Sequence, residues 1–98
     1  MKKVAVILCG AGHLDGSEIR ESIATLWALS QKNAEVQCFA PDKPQTDVMN
    51  FMTSTPVENE VRNQLQEAAR ISRGDILPLA KFEADNFDAL IIPGGFGA

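Results

Sequence analysis

Two uninterrupted apolar runs frame the chain, one near each end. Residues 4–9, Val-Ala-Val-Ile-Leu-Cys, are rich in β-branched side chains and stop at Gly10. A run with no polar position predicts a strand buried on both faces, as in the middle of a parallel sheet. Residues 89–93, Ala-Leu-Ile-Ile-Pro, repeat the pattern and lead into a glycine-rich loop at 94–98. Between the two runs the period changes. Over residues 17–32, Ile19, Ile23, Leu26 and Trp27 recur at helical spacing, with Arg20, Glu21 and Thr25 on other faces. Asn33 suits a left-handed terminator of that helix. Residues 35–40 then alternate as a strand: Val36, Cys38 and Ala40 on one face, Gln37 and Phe39 on the other, with Pro41 as the stop.

Strand, helix and strand at this spacing predict a βαβ unit with a right-handed crossover. Residues 41–56 carry three prolines and an apolar patch of Val48, Met49, Phe51 and Met52. They read as a loop with a short hairpin or helical turn. A second helix is expected over 57–73, with Val61, Leu65, Ala68 and Ala69 inward and Gly74 as its stop. A short strand over 75–79 and the run at 89–93 complete the pattern. The expected fold is α/β: a flavodoxin-like open, mostly parallel sheet with helices on both faces. In such sheets ligands bind beyond the carboxyl ends of the strands. Two glycine-rich loops leave carboxyl ends, at 10–16 and 94–98. If the first and last strands are neighbours, the loops lie side by side and localise a site.

Composition narrows the function classes. In 98 residues, 45% hydrophobic and 22% charged positions suit one globular domain rather than a disordered tail or a disulfide scaffold. A net charge of -4 argues against a nucleic-acid partner, because phosphate backbones are held by basic patches. Neither apolar run is long enough to span a bilayer or to serve as a signal-peptide core, so no membrane partner is expected. Cys9 and Cys38 have no metal-like spacing and fit a reducing compartment. The compartment expected on these grounds is the cytosol.

Several motifs could carry chemistry. Gly10-Ala11-Gly12 opens like a dinucleotide fingerprint, but the third glycine falls one place late, at Gly16, and Asp15 stands where a pyrophosphate would lie. Asp15-Gly16-Ser17-Glu18 has the spacing of a capping box, with Asp15 as N-cap and Glu18 at the third helical position. If Glu18 were buried at the sheet edge instead, desolvation would raise its pKa and suit it to proton transfer. In the second loop, Gly94 and Gly95 can offer backbone N–H groups to developing negative charge, as an oxyanion hole requires.

Cys9 closes the first strand beside a helix N-terminus, a setting that can lower a thiol pKa. Buried free cysteines are usually small hydrophobes, and both Cys9 and Cys38 are read that way. His13 is the only histidine and has no second ligand spaced with it, so no metal is expected. With Gly12 it is read as a site lip. Arg62, Arg70 and Arg73 read as a solvated helix face, or secondarily as a subunit contact.

Five segments taken together resemble the ElbB-type glyoxalases (enhancing lycopene biosynthesis proteins) of the class I glutamine amidotransferase-like superfamily, alongside the PfpI-type proteins. They are Val4-Ala5-Val6-Ile7-Leu8-x-Gly10, Asp15-Gly16-Ser17-Glu18-Ile19, Cys38-Phe39-Ala40-Pro41-Asp42-Lys43, Ala68-Ala69-Arg70-Ile71-x-Arg73-Gly74 and Asp88-Ala89-Leu90-Ile91-x-Pro93-Gly94-Gly95-Phe96-Gly97-Ala98. Each is weakly specific alone; five in order at matching distances are specific. The resemblance covers the whole chain.

The resemblance implies a nucleophilic cysteine at a strand-to-helix elbow, a glutamate that contacts it at the position of Glu18, and an oxyanion loop at Gly94 and Gly95. It implies conversion of glyoxal to glycolate without glutathione, metal or organic cofactor, with a small aldehyde as substrate and a homodimer as the complete protein. Protein deglycase chemistry and a non-enzymatic, stress-linked binding protein of the same superfamily are the alternatives. The family's nucleophile lies beyond the glycine loop and is therefore absent from this chain. Residues 1–98 are expected to be the N-terminal part of a single domain, inactive alone, with the strand at 89–93 left as an apolar, unpaired edge.

Overall fold

The computed structural model describes residues 1–98, and the first apolar run becomes a central strand in it. β1 (Lys3–Ile7) is followed by α1 (Ile19–Gln31) and β2 (Glu35–Ala40). A hairpin of β3 (Met49–Asn50) and β4 (Thr55–Pro56) precedes α2 (Gln64–Ser72), β5 (Ile76–Pro78) and β6 (Ala89–Ile91). Two 3-10 turns, Leu79–Lys81 and Ala84–Asn86, lie between β5 and β6. The four longer-range strands form one sheet in the order β5-β2-β1-β6, parallel throughout. β1 runs in register with β2 from Lys3 opposite Glu35 to Ile7 opposite Phe39. On its other side it meets β6, with Val4 opposite Ala89 and Val6 opposite Ile91.

Each sheet face has its own cover. On one, Val4, Val6, Leu8, Cys38 and Ala40 pack against Leu26 and Leu29 of α1 and Leu65, Ala68 and Ile71 of α2. On the other, Ala5, Ile7 and Phe39 are covered by Leu79, Phe82 and Phe87. Phe39 meets Phe82 and Phe87 edge-on at 5.3 and 5.6 Å, while Phe82 and Phe87 stack at 5.6 Å. The open parallel sheet is thus as expected, with a refinement: the two helices share one face and an aromatic connector covers the second. The path of the chain explains it. The steps β1 to β2 to β5 run one way across the sheet, so right-handed crossovers put α1 and α2 on the same side. The return from β5 to β6 reverses direction, and its crossover takes the opposite side.

Two helix boundaries differ from the pattern. α2 begins seven residues later than its apolar period suggested, capped by the Asn63 side chain, which accepts from the Gln66 N–H at 2.9 Å. The backbone just before it is committed elsewhere. The Gln45 N–H donates to the Arg62 carbonyl at 2.7 Å, the Gln64 N–H to the Lys43 carbonyl at 2.8 Å, and Pro44 and Asn63 form an antiparallel bridge. α1 begins at Ile19 with Glu18, not Asp15, as its N-cap. Its far end is as expected: Asn33 takes φ 56°. The segment at 41–56 does contain the anticipated hairpin, prolonged by the Val57 N–H donating to the Val48 carbonyl at 2.7 Å.

Candidate active-site cleft

β1 lies between β2 and β6, so chain connectivity leaves it in opposite directions, and a crevice opens where the sheet reverses. The two glycine loops meet there. The Glu18 N–H donates to the Gly94 carbonyl at 2.6 Å, and the Phe96 and Gly97 N–H groups donate to the His13 carbonyl at 2.7 and 3.4 Å. The His13 and Phe96 rings meet edge-on at 5.5 Å. His13, Glu21, Gly94, Gly95 and Phe96 line a cleft of about 270 Å³. The predicted lip residue His13 and the predicted oxyanion glycines are therefore brought together. Gly12 lies just behind them, its carbonyl accepting from the Ile19 N–H and its N–H donating to the Ser17 carbonyl.

The approach of the loops requires glycine. A Cβ on Gly95 would overlap the Gly16 carbonyl oxygen and stand 2.6 Å from the Glu18 nitrogen, and its φ of 140° disfavours side-chain-bearing residues. Neither the Gly94 nor the Gly95 N–H donates to an acceptor in the chain. Both remain available to a ligand in the cleft.

The two carboxylates at the start of α1 divide the work differently from expectation. Glu18 is buried but not desolvated into a proton carrier. One carboxylate oxygen accepts the Glu21 N–H at 2.7 Å, and the other accepts Arg20 Nε at 3.2 Å. The Glu21 N–H above all, helped by the Arg20 guanidinium, outweighs burial and holds its carboxyl below the usual range. It is an ionised helix cap, while the loop beside it contacts its backbone. The carboxylate that reaches the cleft is Glu21, one turn on, whose Oε1 stands 2.5 Å from the place a Cβ would take on Gly94. Its carboxylate accepts no hydrogen bond and joins no ion pair. Residues Glu18 and Glu21 share a helical face at i, i+3 spacing, and that spacing was the available signal for Glu21.

Asp15, read as the cap, instead has 6% exposure and holds the first loop: its two oxygens accept the His13 N–H at 3.4 Å and the Met49 N–H at 2.8 Å. Ser17 Oγ accepts the Cys9 N–H at 2.8 Å, and Gln45 Oε1 the Ala11 N–H at 3.3 Å. The loop's amides are thus spent internally, which disfavours a pyrophosphate cradle. Burial raises the Cys9 thiol against the opposing pull of Lys43 and Ser17, so the helix start does not activate it. Burial, with Asp75 nearby, pushes Cys38 up to about 11. Both cysteines are free and both behave as small apolar side chains. No His, Cys, Asp or Glu side chains gather in a group of three that could hold a metal ion, and no helix is long and apolar enough to cross a membrane.

A parallel sheet in this order, with paired glycine loops at its reversal point, defines a flavodoxin-like α/β domain. No protein-family model matches the chain. It is 53% identical over 96 residues to the human glutamine amidotransferase-like class 1 domain-containing protein 3, mitochondrial. It is 52% identical over 96 residues to the rat ES1 protein homolog, mitochondrial, and 40% identical over 98 residues to the zebrafish ES1 protein, mitochondrial. A crystal structure of an isoprenoid biosynthesis protein with an amidotransferase-like domain from Ehrlichia chaffeensis matches with a TM-score of 0.94 and 44% identity, over 99% of this chain and 45% of that one. The chain is a homologue of glutamine amidotransferase-like class 1 domain proteins. It spans 98% of its own length but 36% of the human and rat relatives'.

These relatives correct the cytosolic expectation, since the human, rat and zebrafish proteins are all mitochondrial. Reduced cysteines and an acidic surface do not tell one reducing compartment from another, and an import segment leaves no mark on the composition of the domain behind it.

Proposed function

We propose that the chain supplies the carboxylate and oxyanion half of a cysteine-dependent glyoxalase of the ElbB type, acting on glyoxal without glutathione, metal or organic cofactor. The observation that carries this reading is the cleft that the free Glu21 carboxylate shares with Gly94 and Gly95, whose N–H groups are uncommitted. The isoprenoid biosynthesis neighbour from Ehrlichia chaffeensis supports the ElbB-type assignment. The nucleophile is a thiolate from sequence beyond Ala98. It adds to one aldehyde carbon, and the carbonyl electrons move to oxygen, where the Gly94 and Gly95 N–H groups stabilise the charge. Protonation gives a hemithioacetal. Glu21, not Glu18, then takes the proton from the carbon that bears sulfur and returns it to the neighbouring carbon, while the hydroxyl proton passes to the former aldehyde oxygen, giving a glycolyl thioester. Water cleaves the thioester to glycolate and regenerates the thiol. Glu18 acts by fixing the start of α1 so that Glu21 meets the loop.

Glycolate formation from glyoxal by the full-length protein, followed by NMR, tests the reading. Loss of a proton-transfer group predicts a fall of about 10²–10⁴ in kcat for Glu21→Gln. Glu18→Gln is expected to retain most activity. Full activity of Glu21→Gln, or no glycolate from the unaltered protein, would refute the proposal. Residues 1–98 alone are expected to be inactive, and turnover by them would promote Cys9 to nucleophile.

A further inference from the structure

Three of the chain's four arginines line one groove, which shares no lining residue with the glycine-loop cleft. Arg62, Arg70 and Arg73 surround a volume of about 650 Å³ between α1 and α2. The apolar lining is Ile19 and Ile23 of α1, Ile71 of α2 and Ala11 of the first loop. Ile19 and Ile23 are 42% and 52% exposed, although they belong to the apolar side of their helix. Glu67 is the single acid in the lining. It meets Arg62 at 3.2 Å and Arg70 at 3.9 Å, while Glu60 also holds Arg62 at 2.7 Å. Arg73 joins no ion pair. It sits at φ 57°, an uncommon backbone state for arginine, directly before Gly74 at φ 83°. A surplus of positive charge is thus concentrated over an apolar floor in a chain whose net charge is -4.

We propose that this groove binds a soluble organic phosphate with a short hydrocarbon chain, its head on Arg70 and Arg73 and its tail on Ile19 and Ile23. Guanidinium groups offer paired donors that match phosphate oxygens, and the volume lies within the roughly 300–1,000 Å³ usual for small-ligand sites. Glu67 competes with the ligand by occupying Arg62 and Arg70. Nothing in this site depends on the glyoxalase reading.

The test is an amide NMR titration of the full-length protein with butyl phosphate, inorganic phosphate and butanol at fixed ionic strength. Butyl phosphate is expected to shift Ile19, Ile23, Ile71 and Arg73 and to bind about tenfold more tightly than inorganic phosphate, because its tail is buried. Butanol is expected to leave these amides unmoved. Arg70→Gln with Arg73→Gly should weaken binding about tenfold or more through loss of charged hydrogen bonds. Glycine accepts φ 57° readily, so an unchanged thermal melt of the Arg73→Gly single variant separates lost binding from lost fold. Glu67→Gln should tighten binding several-fold. Absence of localised shifts, equal binding by the double variant, or equal affinity for phosphate and butyl phosphate would overturn the proposal. Arginine-dependent binding to phosphatidic acid vesicles without binding of butyl phosphate would assign the surface to a lipid and overturn the soluble ligand.

Discussion

β1 and β6 start from nearly the same apolar sequence and reach different states. Val6 in β1 is fully buried, whereas Leu90 in β6 is 47% exposed and Ile92 just beyond is 56% exposed. Within residues 1–98 the cause is position, not composition: β1 has a strand on each side and cover on both faces, and β6 has a strand on one side only. The loops that follow differ in the same sense. The loop after β1 is tied by side chains, with Ser17 Oγ, Gln45 Oε1 and the Asp15 carboxylate accepting its N–H groups or that of Met49. The loop after β6 is tied to it by backbone bonds alone. One half of the cleft is therefore a scaffold with redundant fastening, and the other is a guest that docks on it.

The largest test of this contrast is a pair of truncations. Leu8→Ala, at a fully buried position, is expected to cost about 2–5 kcal/mol, and Leu90→Ala about 1 kcal/mol or less, both by urea denaturation. Equal costs would mean that β6 is covered after all. Next comes the fastening. Asp15→Ala strips a buried acceptor from two N–H groups and should cost about 1–3 kcal/mol, with the Met49 amide losing hydrogen-exchange protection. Protection that survives in the variant would show that the hairpin does not depend on Asp15.

The smallest effect is expected at the junction of the two loops. Glu18 has its folded pKa held below the ordinary 4.5, so its stabilising effect is present above that pH and fades as pH falls through the folded value. The unaltered protein should therefore exceed Glu18→Gln in urea midpoint at neutral pH and converge with it under acid conditions. A gap that stays constant with pH would remove charge from the role of the cap.

The sheet was readable from sequence because its signals are local. β2 occupies the anticipated residues, and β1 pairs with β6, the condition on which the two glycine loops were expected to lie side by side. Two misread features have distant partners. Asp15 looked like a cap because Glu18 stands three residues on, yet its carboxylate serves Met49, 34 residues away. The apolar period before α2 was real, but the bonds from Gln45 and Gln64 hold that segment extended. Glu21, read on an outer face of its helix, lines the cleft one turn on from Glu18, and their i, i+3 spacing was the signal for it. The three arginines are exposed, as a solvated face requires, and α1 sets isoleucines beside them.

The His13–Phe96 junction has a kinetic consequence. It joins positions separated by almost the entire chain, as does the β1–β6 ladder beside it. Such closures come late, after the intervening segments have ordered and shortened the effective loop. The cleft is thus assembled only when β1, β2 and β6 are already in place. A partly folded chain cannot bring the two loops together early, and their meeting reports that β1, β2 and β6 have ordered.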